Sequence, residues 1–185
     1  MTFRKKWQDP DSWHEGFINN ICQAIKPRIS IEVGVAHGVV TRILSENSEN
    51  VFAIDIDEAP IAGIEPLTNV TGIIGDSPIK LRELNSRGIK ADIIFIDGDH
   101  RIDAAIKDFN EALKLLQPEG LILMHDTYPR NKDFVSEKNE LCSTSYLVPD
   151  RIRALHPDIN VITIPTHPGL TIIQSNLSRP TWMQT

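Results

Sequence analysis

The chain has 185 residues, of which 41% are hydrophobic and 24% charged, a composition typical of a soluble globular protein. This length suits one hydrophobic core and excludes two full-sized domains, so we predict a single domain over residues 1–185. The net charge of −6 disfavours non-specific binding to nucleic acid. The polar start and the short apolar runs indicate neither a secretory signal nor a membrane helix, so we expect a cytoplasmic protein without membrane contact.

The predicted elements alternate along the chain. An amphipathic helix comes first, over residues 12–25, and another helix continues from residue 39. A third helix over residues 103–116 has one apolar face and ends before Pro118 and Gly120. A further helix ends at residues 150–155. Strands are predicted at residues 29–33, 51–54, 70–74, 92–96, 121–124, 161–164 and 170–173.

Short apolar strands separated by helices are typical of a parallel sheet that is covered on both faces. The last two strands are joined by the short turn PTHPG and must therefore pair antiparallel. We predict an α/β fold with a doubly wound, mostly parallel seven-stranded sheet, a C-terminal antiparallel hairpin and helices on both faces. Within it, residues 1–28 form an N-terminal helical segment, residues 29–127 a ligand-binding core, and residues 128–185 a substrate-side loop, helix and hairpin.

Polar residues follow every strand of the predicted core. In open α/β sheets the carboxyl ends of the strands form the ligand site, so a row of acids there predicts one. A turn preference for Asp and Gly is the alternative explanation. The five strand ends carry Glu32-Val33-Gly34, Asp55, Gly75-Asp76, Asp97-Gly98-Asp99-His100 and His125-Asp126-Thr127.

The first strand-to-helix turn contains Gly34 and Gly38 in IEVGVAHGVVT. Glycines allow a ligand to approach the backbone and the free N–H groups at the start of a helix. The spacing is not the G-x-G-x-x-G of dinucleotide dehydrogenases. Asp55, about twenty residues after Gly34, is placed to accept the two hydroxyls of a ribose or, alternatively, to cap a helix.

The segments IEVGVAHG, VFAIDID, GDSPIKL, FIDGDH and HDT together resemble class I S-adenosylmethionine-dependent methyltransferases, in particular a branch of small O-methyltransferases. The resemblance covers roughly residues 12–175. It implies that S-adenosylmethionine is the cofactor. The chain departs from the family where only about a dozen residues, Pro60 and Pro66 among them, separate Asp57 from the third strand, so the usual second helix must be short or missing. It also assigns cofactor contacts: the methionine and ribose part to Glu32, Gly34 and Gly38, the ribose hydroxyls to Asp55, the adenine to Asp76 and Ser77, and the surroundings of the sulfonium to Asp97.

Related O-methyltransferases bind Mg²⁺ at the ends of the fourth and fifth strands. The resemblance therefore implies a metal site at Asp97 and Asp126, with a third ligand that is ambiguous between His125 and Thr127. Histidine is unusual for Mg²⁺, so another divalent ion such as manganese or iron remains open. Catalysis is assigned to Asp97, with His100 or His125 as the general base in the absence of metal.

The predicted reaction is methyl transfer to a hydroxyl of a small molecule such as a sugar, a polyol or a phenol. The alternatives are an NAD-type oxidoreductase on a related sheet and a cofactor-binding domain without catalysis. A homodimer is also expected, with terminal segments that include Trp7, Trp13 and Trp182 closing an otherwise open acceptor pocket. The other histidines, at positions 14, 37, 156 and 167, are interpreted as surface or turn residues.

Overall fold

The structure is a computed structural model that describes residues 12–135 and 142–175. Its strands and helices alternate as the sequence predicts. They are α1 Trp13–Ile25, β1 Ile29–Val33, α2 Val39–Asn47, β2 Asn50–Asp55, α3 Glu58–Ile64, β3 Val70–Ile74, α4 Ser77–Ser86, β4 Ala91–Ile96, α5 Ile102–Leu115, β5 Leu116–His125, α6 Val148–Leu155, β6 Ile159–Ile164 and β7 Leu170–Ser175.

The seven strands form one sheet in the order β3-β2-β1-β4-β5-β7-β6. The pairs from β3 to β5 are parallel, whereas β7 pairs antiparallel with both β5 and β6. This is the mostly parallel sheet with an antiparallel C-terminal hairpin that the sequence predicts. The strand order reverses between β1 and β4, since β2 and β3 are added on one side of β1 and β4 and β5 on the other, so the crevice beside these two strands is where a ligand is expected in such a sheet.

Helices cover both faces of the sheet because alternate residues of each strand point to opposite sides and both sets are apolar. On β4, Ile94 and Ile96 belong to a core that they form with α4, α5 and α6. Phe109 of α5 is one of the largest buried side chains in this core. Ile93 and Phe95 face the other way and pack in a core with α1 and α2. The central strands therefore have little freedom to shift register, since a one-residue slip would exchange the two cores.

Two local features concern the predicted boundaries. The helix between Asp57 and β3 is α3, which is only seven residues long, as expected. The fifth strand was predicted over residues 121–124 but begins at Leu116, because the chain first pairs Leu116 with Ala91 and then shifts register before Leu121 pairs with Ile93. Pro118 lies inside this irregular stretch, where its missing N–H is tolerated. Within the described residues, no helix is both long and apolar enough to span a membrane.

Candidate active site at the carboxyl edge of the sheet

The carboxyl ends of β3, β2, β1 and β4 surround a cleft of about 920 Å³. Its lining includes the strand-end residues Asp76, Asp55, Gly34 and Asp97, which come from four different strands. Ser77 and His100 also line it, but Glu32, Gly38, His125 and Asp126 are not among the described lining residues. The acids at the strand ends thus share one edge, as expected from the parallel topology.

The loop after β1 packs directly on the end of β4. Gly34 has a φ of +85°, and a Cβ on it would lie 2.2 Å from the carbonyl oxygen of Asp97. Gly38 also has a positive φ, of +68°, and a Cβ there would lie 2.8 Å from the Ile64 side chain. Both glycines are therefore required by close packing of the loop, and Gly34 additionally faces the cleft.

Asp55 holds this loop from the neighbouring strand. Its Oδ2 accepts hydrogen bonds from the backbone N–H of Val35 at 2.8 Å and of Ala36 at 3.3 Å, and its Oδ1 accepts one from Asp57 at 3.0 Å. An ionised carboxylate has about four acceptor positions, so capacity remains for a ligand hydroxyl. Asp55 does not cap α3, whose N-cap residue is Asp57.

Glu32 lies in the interior of the sheet rather than in the cleft. Its side chain is buried and accepts a hydrogen bond of 2.5 Å from the Thr41 hydroxyl, which ties β1 to α2. Burial raises the pKa of Glu32 to about 8; the Thr41 hydrogen bond opposes this shift, and the nearby charges of Asp97 and Asp55 add to it.

At the other end of the cleft, Ser77 at the start of α4 donates a hydrogen bond of 2.6 Å to Asp108 on α5. Asp108 lines the cleft although it is only 1% exposed, and sequence analysis did not select it. A signal was available: Asp108 lies on the face of α5 that carries the buried residues Ala105, Phe109 and Ala112, where an acid is out of place.

Two acids and two histidines converge where β4 and β5 end. His100 Nε2 lies 3.3 Å from Asp97 Oδ1 and 3.2 Å from Asp126 Oδ2. His125 Nδ1 lies 3.1 Å from Asp97 Oδ1 and 3.5 Å from Asp126 Oδ1. One potential ligand atom from each of Asp97, His100 and Asp126 lies within 4.8 Å of the others. The group of three that could hold a metal ion thus contains His100, whereas the sequence suggested His125 as the histidine.

The charges in this cluster depend on one another. Burial opposes ionisation of Asp97, but the charge of His125 and hydrogen bonds from His100 and His125 hold its pKa well below the usual range. Burial likewise disfavours the charged form of His125, but the charge of Asp97 and hydrogen bonds to Asp126 and Asp97 raise its pKa to about 10. In the absence of a metal, His125 is therefore a cation that pairs with Asp97.

The segment Cys142–Ser145, which lies between β5 and α6, contacts two members of the cluster. Asp126 has a φ of +58°, which is rare for a residue other than glycine. Its carbonyl oxygen accepts a hydrogen bond of 2.5 Å from the Ser145 hydroxyl, and the Cys142 thiol lies 3.8 Å from its carboxylate. Thr144 donates its N–H to the carbonyl of His100 at 3.2 Å. The segment Cys142–Ser145 therefore holds Asp126 and His100 in place.

The first helix also contributes to this region. The ring of His14 on α1 lies 4.0 Å from the ring of His125, so the interpretation of His14 as a surface or turn residue is wrong. His125 Nε2 is buried, and within the described residues it has no hydrogen-bond partner. Trp13 packs with the α1 core as a partly buried residue and donates its indole N–H to the carbonyl of His167 at 2.9 Å. His37 is exposed, as expected.

The chain resembles known proteins both in sequence and in fold. Residues 31–127 match the model of a protein family described as a methyltransferase domain. No curated protein sequence matches the chain significantly. An O-methyltransferase from Bacillus cereus, solved with S-adenosylhomocysteine, is similar with a TM-score of 0.73 and 19% identity, over 89% of this chain and 81% of that one.

Two further solved structures show how widely the fold is shared. The O-methyltransferase TomG from Streptomyces achromogenes, involved in tomaymycin synthesis and solved with S-adenosylmethionine, has a TM-score of 0.72 and 16% identity over 89% of this chain and 80% of that one. An rRNA methylase from Streptococcus thermophilus has a TM-score of 0.65 and 12% identity over 91% and 97%. At these identities the likeness shows the fold, which is that of class I S-adenosylmethionine-dependent methyltransferases.

Proposed function

Because the chain belongs to the methyltransferase domain family, we propose that it transfers the methyl group of S-adenosylmethionine to a hydroxyl of a small molecule. The observation that carries this proposal is the convergence of Asp97, His100 and Asp126 at one end of a cleft large enough for the cofactor. Asp97 and His100 line the cleft at that end, where the sulfonium and the acceptor would meet, and Asp126 lies directly behind His100.

The bound cofactor would lie in the cleft, along the carboxyl ends of β3, β2, β1 and β4. Asp76 and Ser77 would meet the adenine, Asp55 the ribose hydroxyls, and Gly34 and Asp97 the methionine part and the sulfonium. Glu32 and Gly38 would act indirectly, by holding β1, α2 and the loop between them. An NAD-type oxidoreductase is disfavoured by the missing G-x-G-x-x-G and by the antiparallel β7.

A divalent ion fits the donor set formed by Asp97, His100 and Asp126. Two carboxylates and one imidazole nitrogen suit manganese or iron better than Mg²⁺, which prefers oxygen ligands alone. Such an ion, when bound, lowers the pKa of a coordinated hydroxyl and orients it. His125 would then act as an orienting partner of Asp97, since ligating carboxylates are commonly held by a hydrogen bond from outside the coordination sphere.

The reaction itself requires alignment and removal of one proton. The acceptor oxygen forms a bond to the methyl carbon while the bond from that carbon to sulfur breaks, which leaves S-adenosylhomocysteine as the product. Without a bound ion, His100 would be the group that takes this proton, because its Nε2 lies between the carboxylates of Asp97 and Asp126 and its side chain is 20% exposed. Acceptors with two adjacent oxygens, such as sugars, polyols or catechol-like phenols, suit this cluster best.

Ligand binding tests the cofactor. S-adenosylhomocysteine should bind and raise the melting temperature, and NAD should not. Asp55→Ala should weaken binding by roughly 1–3 kcal/mol if two ribose hydrogen bonds are lost, whereas Asp103→Ala, an exposed position on α5, should not change it. Calorimetry that detects NAD binding and no S-adenosylhomocysteine binding would refute the methyltransferase function.

Metal binding and activity test the reaction. Mn²⁺ should bind the wild type, and Asp97→Asn and Asp126→Asn should each lose this binding together with activity on a panel of vicinal diols and phenols. Asp99→Asn is the matched control, because Asp99 lies in the same loop but is paired with Arg101. Full activity in the presence of a chelator, with both variants still active, would exclude the metal and leave His100 as the base to test.

A further inference from the structure

A second cavity lies at the carboxyl edge of the sheet, beside the reaction cluster formed by Asp97, His100 and Asp126. Its volume is about 390 Å³, which is within the range of small-molecule sites. The cofactor cleft follows the ends of β3 to β4, whereas this cavity is bounded by the residues after β5, by β6 and by α6. We call it the β5–β6 pocket. Two prolines line it together with six residues that carry polar groups: Thr127, Tyr128, Tyr146, Asp150, Arg153 and Thr163.

Two walls of the β5–β6 pocket continue directly from the reaction cluster. Thr127 follows Asp126 in the chain. Tyr146 follows Ser145, whose hydroxyl donates to the carbonyl of Asp126. Because consecutive Cα atoms lie about 3.8 Å apart, both walls lie close to the cluster. A ligand in this pocket would therefore lie next to the group that is methylated, on the side of the cluster away from the cofactor cleft.

A chain of three threonine hydroxyls gives the pocket a fixed polarity. Thr171 of β7 is fully buried, and its hydroxyl donates to Thr127 at 2.8 Å and lies 2.9 Å from the hydroxyl of Thr163. Because Thr171 gives its single hydrogen to Thr127, Thr163 must be the donor in the second bond. Thr163 therefore faces the pocket with lone pairs, whereas Thr127 keeps its own hydrogen for a ligand.

An arginine and an aspartate of α6 add further donors and acceptors. Arg153 Nη1 donates to Asp150 Oδ1 at 2.7 Å, and Nη2 donates to the carbonyl of Val161 at 3.2 Å. These two bonds hold the guanidinium in place but use only two of its five N–H groups. The Asp150 side chain is exposed, and its Oδ2 takes no part in the pair. The pair can therefore both donate to a ligand and accept from it.

Two tyrosines with exposed side chains complete the pocket. Tyr128 is 46% exposed and Tyr146 is 38% exposed. The backbone of Tyr128 is fixed, because its N–H donates to the carbonyl of Pro168 at 2.8 Å and Gly169 packs against it too closely for a Cβ. Tyrosine combines an apolar ring face with a polar tip. The pocket therefore suits a ring that has C–H groups on its face and several hydroxyls at its edge.

We propose that the β5–β6 pocket binds a sugar ring of the methyl acceptor, next to the methylated group but not itself methylated. The proposal rests on the proposed function and narrows its acceptors to glycosides. Every sugar hydroxyl both donates and accepts, as this lining requires. A phenol of similar size has one hydroxyl and would leave most of these polar groups unpaired, and such a site rejects ligands that lack the hydroxyls. The binding energy of the remote ring would position the reacting hydroxyl.

Saturation-transfer NMR titrations on the full chain with bound S-adenosylhomocysteine test this inference. The probes are the methyl hexopyranosides of gluco, galacto and manno configuration, with phenol as the comparison. At least one glycoside should bind the wild type about tenfold or more tightly than phenol. Tyr146→Ala removes a ring face, and Thr163→Val removes a hydroxyl while it keeps the shape of the side chain. Each should weaken glycoside binding by about fivefold or more.

Leu155→Ala, at an exposed position on α6, is the matched control and should keep the wild-type affinity for the glycoside. Unchanged affinity for S-adenosylhomocysteine shows that each variant is folded; if Thr163→Val does not fold, Tyr146→Ala alone decides. The inference is overturned, and the proposed function left intact, by phenol binding as tightly as the glycosides, by no glycoside binding, or by unchanged glycoside affinity in a folded variant. If the wild type does not bind S-adenosylhomocysteine, the proposed function fails and this inference fails with it.

Discussion

Three acids around the cleft differ in their affinity for a proton because their partners differ. Glu32 and Asp108 are buried and accept hydrogen bonds from neutral groups, of Thr41 and of Ser77 respectively, so burial dominates and the pKa of each is raised, to about 8 and about 6. Asp97 has two histidines as partners, and its pKa is lowered. Carboxyl groups that lie close together in the fold therefore differ in pKa according to whether burial or a charged partner dominates.

Glu32→Gln tests the first of these acids. The pKa of Glu32 is raised in the folded state, so its contribution to stability is fully present below about pH 4.5, falls as pH rises, and is lost above about pH 8. Glutamine mimics the protonated form at every pH. We expect the variant to be more stable than the wild type above pH 8 by a few kcal/mol, since one unit of pKa is worth about 1.4 kcal/mol.

Urea denaturation from pH 4 to pH 9 measures this effect. Glu46→Gln, at an exposed position on α2, is the control and should follow the wild-type curve. A Glu32→Gln curve that runs parallel to the wild type over the whole range would show that Glu32 is ionised in the folded protein.

Gly34→Ala tests the close approach of the loop to β4. The new Cβ would overlap the Asp97 carbonyl, and the φ of +85° is unfavourable for alanine. We expect a loss of roughly 3 kcal/mol or more in the free energy of unfolding. Gly63→Ala is the control because a Cβ there has no neighbour within 4 Å. It lies inside α3, so it should gain about 0.5–1 kcal/mol. Equal thermal stability of the two variants would contradict the packing argument.

At the scale of elements, the site depends on contacts between segments that are distant in sequence. Thr144 accepts a hydrogen bond of 2.8 Å from the backbone N–H of Ile102, at the start of α5, while its own N–H binds the carbonyl of His100. Residues 98–102 are therefore anchored twice to the segment that precedes α6. A change at Thr144 should therefore affect both the stability of the start of α5 and the position of His100.

Thr144→Val removes the hydroxyl and keeps the shape of the side chain. Loss of a capping acceptor should lower the free energy of unfolding by about 1 kcal/mol. Mn²⁺ binding should weaken too, because the loop that carries His100 loses one of its two anchors. Thr71→Val, at an exposed position on β3, should change stability by less than about 0.5 kcal/mol. Unchanged Mn²⁺ affinity in Thr144→Val would show that the second anchor is sufficient.

At the scale of the whole molecule, the cleft lies along the carboxyl ends of strands that share one sheet edge. We expect a homodimer in which terminal segments close the acceptor side of this cleft. Trp13 is already engaged by α1 packing and by His167, so it is not free to cover a partner. Trp7 and Trp182 lie outside the described residues.

Light scattering at micromolar concentration measures the assembly. We predict a mass near twice the 20.8 kDa of one chain, and lower activity on dilution, since terminal segments of one copy would close the acceptor pocket of the other. A monomeric mass with full activity would remove this prediction. Removal of the terminal residues 176–185 should, on the same reasoning, reduce acceptor binding more than binding of S-adenosylhomocysteine.

Local sequence patterns were sufficient for the central strands, the short α3 and the antiparallel hairpin. The runs IIFI and LILM have no polar position, so they form strands buried on both faces, and PTHPG is too short to join parallel strands. The sequence pattern did not predict the start of β5, where Leu116 pairs with Ala91 before the register shift. Neither Pro118 nor the pattern of the preceding helix predicts that Leu116 pairs with Ala91.

The sequence by itself determined the strands and the placement of Gly34, Asp55, Asp76, Asp97 and Asp126 at their carboxyl ends, because parallel topology brings every strand end to one edge. Only the tertiary structure showed that both His100 and His125 contact Asp97 and Asp126, and that His100 groups with the two acids in a geometry that could hold an ion. It alone showed the contacts of Asp108 and His14. Those side chains come from helices on opposite faces of the sheet, and local patterns contain no information on which long-range neighbours a helix face will meet.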